Sequence, residues 1–128
     1  MKKNVIGSWQ LSSFEIQTNA GKWEPWGSEL KGLLILTPDS FMSVSILRNS
    51  NAVFDPIDDV LFYSGNFYVD GDQIIFDVLL ATDSSRIGKK LKRTIKYNPG
   101  HIELSGKAAS GKDFRLIWIQ KKINLVTD

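Results

Sequence analysis

Apolar and polar residues alternate with a period of two along most of this chain, and turn residues interrupt the alternation at short intervals. The stretch from Gly32 to Arg48 shows the pattern most plainly. Leu33, Leu34, Ile35 and Leu36 form an apolar run, and Met42, Val44 and Ile46 later alternate with Ser43 and Ser45. Between them lies Thr37-Pro38-Asp39-Ser40, where Pro presets φ and Asp and Ser bond back to the local backbone. The segment therefore reads as two strands joined by a tight turn, the second with one dry face and one wet face. The same reading predicts eight strands, at roughly 6–16, 32–37, 41–47, 63–69, 73–81, 89–97, 101–106 and 113–121. Turn signals at Asn19-Ala20-Gly21, Asp70-Gly71-Asp72, Asn98-Pro99-Gly100 and Ser110-Gly111-Lys112 separate most of them. Short strands at this spacing predict an all-β antiparallel fold, either a sandwich or a barrel.

Two connections are too long for hairpins. Between Arg48 and Leu61, Asp55-Pro56 reads as an N-cap followed by Pro at the first helical position, with Asp58 and Asp59 in the first turn. This predicts one short helix near residues 55–62, with Ile57, Val60 and Leu61 on its apolar side. The other connection, 19–31, carries Trp23 and Trp26. These rings are expected to fold back over the barrel, either as a satellite apolar cluster or against a ligand.

Composition narrows the function classes. The chain has 128 residues, 42% hydrophobic and 23% charged, which fits one domain over residues 1–128 with a sizeable core. A formal net charge of +2 gives no electrostatic reason for a nucleic-acid or membrane partner. With no cysteine, disulfides and thiolate metal sites are excluded. The segment MKKNVIGSWQL has no apolar h-region, and no apolar run approaches the ~20 residues of a membrane helix. The expectation is a cytoplasmic monomer or weak homodimer with no cofactor.

Strand faces follow from parity. On the fifth predicted strand, Ile74, Phe76, Val78 and Leu80 make an apolar row expected to face the core. On the sixth, Lys90, Lys92, Thr94 and Lys96 share the solvent face, and Leu91, Arg93, Ile95 and Tyr97 the interior one. Arg93 is thus a charge on an apolar row. A guanidinium does not shed its proton, so it needs an anion, water or a rim position. If the first strand is regular, Trp9, Leu11, Ser13 and Glu15 all point inward, and Glu15 becomes a partner for Arg93. The alternatives are that Arg93 anchors the acidic group of a bound ligand, or that it snorkels at the rim. One bulge near Ser12-Ser13 would turn Glu15 outward.

A family resemblance sharpens this picture. Gly7-Ser8-Trp9, Trp26-Gly27, Gly32-Leu33-Leu34-Ile35, Thr37-Pro38-Asp39, Phe41-Met42-Ser43-Val44 and Arg48 occur in order, followed by Tyr63-Ser64-Gly65, Tyr68-Val69-Asp70, Gly88, Arg93 and Leu116-Ile117-Trp118. Together they resemble the lipocalin-like domain family of small bacterial and fungal barrels, over roughly residues 7–118. The resemblance implies an eight-stranded antiparallel up-and-down β-barrel that binds small apolar molecules, in some members with a role in cyclisation or isomerisation. It also implies a His-His pair on the fifth strand, where this chain has Phe76 and Asp77, and a Trp-Glu-Arg ending, where this chain reads Trp118-Ile119-Gln120-Lys121.

The candidate ligand-binding residues are Arg93, Tyr63, Phe67, Phe76, Trp118, Trp26, Met42 and Tyr97. Tyr63 and Tyr97 carry hydroxyls that would orient a ligand, or are plain core tyrosines. The large rings of Phe67, Phe76, Phe114 and Trp118 leave room for only a modest cavity. His101 is the only histidine and its parity sends it outward, so no metal site is expected. The lysines of the sixth strand share their face with no aromatic side chain, so nucleic acid is not an expected partner. The leading expectation is a carrier or sensor of a small apolar molecule, acidic if Arg93 anchors it rather than pairing within the protein. The alternatives are a cofactor-free cyclase or isomerase with Glu15 as acid or base, and a structural or partner-binding barrel.

Overall fold

A computed structural model describes residues 4–48, 60–108 and 110–121. The strands are β1 (Gly7–Gln17), β2 (Trp23–Pro25), β3 (Lys31–Leu36), β4 (Phe41–Leu47), β5 (Val60–Asp70), β6 (Gln73–Ala81), β7 (Lys90–Asn98), β8 (His101–Lys107) and β9 (Asp113–Gln120). From β3 to β9 each strand pairs antiparallel with the next; β1 pairs with β3 on one side and β9 on the other. The sheet thus closes on itself as an eight-stranded up-and-down barrel, and closure leaves no main edge unpaired. The short β2 is an addition to the predicted eight. It hooks back from the 19–31 connection onto the end of β1, pairing Gln17 with Trp23 and Glu15 with Pro25.

Alternation builds the core as expected. Trp9 and Leu11 of β1, Leu34 and Leu36 of β3, Met42, Val44 and Ile46 of β4, Ile102 and Leu104 of β8, and Leu116 and Trp118 of β9 are all buried. Lys90, Lys92, Thr94 and Lys96 of β7 are exposed. The turns carry the residues that suit them: Gly71 (φ 60°) and Gly100 (φ 77°) take the left-handed backbone in the β5–β6 and β7–β8 hairpins.

Two bulges break the alternation. The β1–β9 register shifts between Leu11 and Ser13, so Ser12 is an extra residue. Beyond it Phe14 faces inward and Glu15 outward, the reverse of what a regular strand gives. The β5–β6 register shifts opposite Gly65, which pairs with Val78 while Ser64 pairs with Leu80. Leu79 is the extra residue there. Leu80, expected in the core row, is 67% exposed, and Ala81 packs against the core instead. Gly65 is needed at this bulge, since a Cβ would run into the Asp77 carbonyl.

The predicted helix near 55–62 lies mostly outside the described residues. Its last three positions, Val60, Leu61 and Phe62, are in β5. The described helical turn is a 3-10 turn at Ser84–Arg86, capped by Asp83, whose carboxylate accepts from the Ser85 amide. No helix among the described residues is long and apolar enough to cross a membrane.

Candidate functional site

The barrel is solid at one end and open at the other. At the solid end Trp9, Leu36, Met42, Phe67, Ile74, Ile95 and Ile102 fill the interior, and the Trp9 indole donates to the Val5 carbonyl at 2.8 Å. At the other end lies a cavity of about 380 Å³, at the small end of the ~300–1,000 Å³ typical of ligand sites. Phe14, Trp26, Tyr63, Phe76, Phe114 and Trp118 supply its rings; Leu34, Val44, Ile46, Leu91, Leu104 and Leu116 are among its aliphatic walls.

Four charged side chains reach the cavity: Asp83, Arg86, Arg93 and Lys107. Arg86 stands 3.8 Å from Asp83, and Lys107 pairs with Asp113 at 2.8 Å. Arg93 has no carboxylate partner among the described residues. Its guanidinium lies over the Phe114 ring at 4.8 Å, and one terminal nitrogen donates to the Lys92 carbonyl at 3.0 Å. Gly106 makes room for this arrangement: a Cβ there would sit 3.1 Å from the Phe114 ring and 3.4 Å from Arg93 Cδ.

Burial sets the electrostatics. Loss of solvent pulls the Arg93 pKa below the usual guanidinium value, and the nearby Tyr63 opposes the shift. Burial likewise pushes the Tyr63 phenol up, against the pull of Arg93 and Arg86. The two groups face one another as a neutral hydroxyl and a cation, both suited to donating hydrogen bonds to an anion. Asp83 at the rim has a lowered pKa, first because the Ser85 side chain and amide donate to its carboxylate.

Trp26 completes the mouth. It stacks on Phe14 with centroids 4.9 Å apart and planes at 16°, and its amide donates to the Phe14 carbonyl at 2.8 Å. The Arg48 guanidinium lies 4.2 Å from the Trp26 ring centroid and donates to the Trp26 carbonyl at 3.2 Å. Trp23 stays outside the barrel, under the Arg115 guanidinium at 4.0 Å.

Of the residues singled out from the sequence, Arg93, Tyr63, Phe76, Trp118 and Trp26 line the cavity together. Phe67 and Met42 are buried in the solid end, away from it. Tyr97 is corrected from interior to 39% exposed; it borders a shallow depression with Trp9, His101 and Gln120 at the closed end. Glu15 is corrected from lumen to outer wall, where it accepts from Arg115 Nε at 2.9 Å. The expected Glu15–Arg93 pair is therefore not formed, and the cause is the bulge at Ser12. Sequence reading missed Arg86, Asp83 and Lys107, which sit at strand ends and in a turn where alternation carries no information about direction. No group of His, Asp or Glu among the described residues is arranged to hold a metal.

Comparison with known proteins agrees with this architecture. A family model described as a lipocalin-like domain matches residues 6–56. A lipocalin-like protein from Bacteroides uniformis superposes with a TM-score of 0.55 at 15% identity, over 92% of this chain and 99% of that one. Over residues 6–56 the chain is similar to the lipocalin-like domain. Two designed proteins share the same barrel: a redesigned β-barrel (TM-score 0.55, 12% identity, 94% and 95% coverage) and a de novo fluorescence-activating β-barrel (0.52, 14%, 94% and 96%). At these identities the likeness concerns the fold alone. No curated protein matches the sequence. The matched segment spans the Gly7-Ser8-Trp9 strand, the Trp26 hook and the β3–β4 hairpin. Tyr63, Phe76 and Arg93 lie beyond it, in the remainder of the same barrel.

Proposed function

We propose that this barrel binds one small apolar molecule bearing an acidic group, as a cytoplasmic carrier or sensor. The observation that carries the reading is Arg93: a cation drawn into an apolar lumen, with no carboxylate against it among the described residues. Drawing a cation part-way out of water without a counter-ion costs free energy, which an anionic ligand offsets. Tyr63 stands ready as a second donor, and the five other rings of the cavity supply apolar surface. The designed fluorescence-activating barrel shows that such an architecture can be built with a fluorescence-activating function.

The isomerase or cyclase alternative requires a carboxylic acid in the lumen, and Glu15 is outside. Among the described residues Asp83 is the carboxylate at the cavity, and its lowered pKa keeps it ionised rather than acidic at neutral pH. Binding is therefore favoured over acid–base chemistry by a cavity carboxyl.

Trp26 and Trp118 line the cavity, so their fluorescence reports its occupancy. The test is a titration with an apolar carboxylic acid and its neutral alcohol isostere. The acid is expected to bind roughly 10–100-fold tighter, the worth of a hydrogen bond to a charged group. Arg93→Leu should erase that advantage and leave the alcohol unaffected. Equal affinities in the wild-type protein, or equal losses in the variant, would overturn the reading.

A further inference from the structure

The cavity is shaped on all four sides, and the order of strands around the barrel says how. In the cyclic order β1-β3-β4-β5-β6-β7-β8-β9, β1 faces β6 and β9 faces β5. Phe14 on β1 thus stands across from Phe76 on β6, and Phe114 on β9 from Tyr63 on β5. Trp26 extends the first aromatic wall by stacking on Phe14, and Tyr63 packs against Phe76 with centroids 5.9 Å apart. The remaining two sides differ. That of β3 and β4 is aliphatic, and that of β7 carries Arg93. The lumen is a slot with aromatic walls on two opposing sides and a cation on a third.

Depth is limited as well. From Phe114 at the upper wall to Trp118 at the floor is four residues of β9. That is roughly 13 Å along the strand at ~3.3 Å per residue, or roughly 10 Å along the axis at a tilt near 40°. Below Trp118 the interior is filled.

We infer that the occupant is a compact, planar aromatic carboxylate, its ring held between the Phe14–Trp26–Phe114 and Tyr63–Phe76 walls and its carboxylate turned to Arg93. This inference rests on the binding reading above and narrows it. Ring faces and edges supply directional contacts that a saturated body of equal size cannot return. The planar guanidinium fork suits the two oxygens of a carboxylate. A long-chain fatty acid, also an apolar acid, overruns the shallow slot and leaves its tail in water.

The experiment compares three acids on the intact protein by isothermal titration: 2-naphthoate, its saturated analogue decahydro-2-naphthoate, and hexadecanoate. 2-Naphthoate should bind about fivefold or more tighter than the saturated analogue, and about tenfold or more tighter than hexadecanoate. Binding of 2-naphthoate to Arg93→Met should fall at least tenfold, with cooperative thermal unfolding at or above the wild-type midpoint showing that the variant is folded. If the saturated or long-chain acid binds as well or better, and still depends on Arg93, the aromatic assignment is overturned while the acid-binding reading stands. If no acid depends on Arg93, both fall.

Discussion

The two ends of this barrel are built from the same strands but solve different problems. At the closed end no bulge resets the inward rows: Trp9 and Leu11, Leu36, Met42, Phe67, Ile74, Ile95 and Ile102 meet in a filled core. At the open end both bulges intervene, at Ser12 and Leu79, and charged residues reach the interior. A bulge bends its strand and resets its parity. The closed end is therefore built for packing, and the open end for a cavity in which Arg93 has no carboxylate partner among the described residues. Stability should belong mainly to the first, and binding to the second.

The strongest way to test that division is to remove a ring from each kind of site. Phe67→Ala in the filled end should cost roughly 3–5 kcal/mol, because the void cannot collapse in a close-packed interior. Urea unfolding measures this, and a cost below 1 kcal/mol would mean the closed end is not packed as described. Next comes the bulge. Gly65→Ala places a methyl against the Asp77 carbonyl and should cost roughly 2–3 kcal/mol, seen as a lower unfolding midpoint. A neutral result would show that the β5–β6 register is free to shift.

Smaller effects sharpen the picture at the open end. Arg93→Met exchanges a partly desolvated cation, with no carboxylate partner among the described residues, for an apolar chain of similar reach. Stability of the unliganded protein should be unchanged or rise by about 1 kcal/mol, in contrast to the loss at Phe67. A fall of 2 kcal/mol or more would assign Arg93 a structural role instead. The smallest effect is in alkali. Tyr63 has its pKa raised by burial, so the folded chain keeps the phenolic proton at pH values where the unfolded chain has lost it. The linked stability is present in full below the phenol's usual value of about 10 and declines as pH rises through the folded value. Tyr63→Phe should remove that component of alkaline destabilisation. A wild-type and variant profile of identical shape above pH 10 would contradict it.

The same division explains what could be read in advance. Where pairing is regular, as in Met42-Ser43-Val44-Ser45-Ile46 and in the lysine face of β7, parity alone assigns each side chain to core or solvent. Arg93 was legible for that reason: β7 has no bulge before it. Glu15 and Leu80 were not, because each lies beyond an extra residue, Ser12 or Leu79, that reverses the parity of its strand. Tyr97 has the interior parity of its strand but stands at the strand's far end, where the barrel wall no longer shields it. Arg86 and Asp83 come from a turn, whose direction depends on where β6 and β7 leave the sheet.

The amino-acid order by itself determined the strands, their turns and the presence of a cation on an inward row, since period-two patterning and turn chemistry are local properties of the chain. Only the tertiary structure decided which inward groups meet. Closing β1 onto β9 through a bulge turned Glu15 to Arg115 on the outside and left Arg93 with Tyr63 within. That outcome depends on long-range register, which one extra residue reverses and which no local pattern encodes.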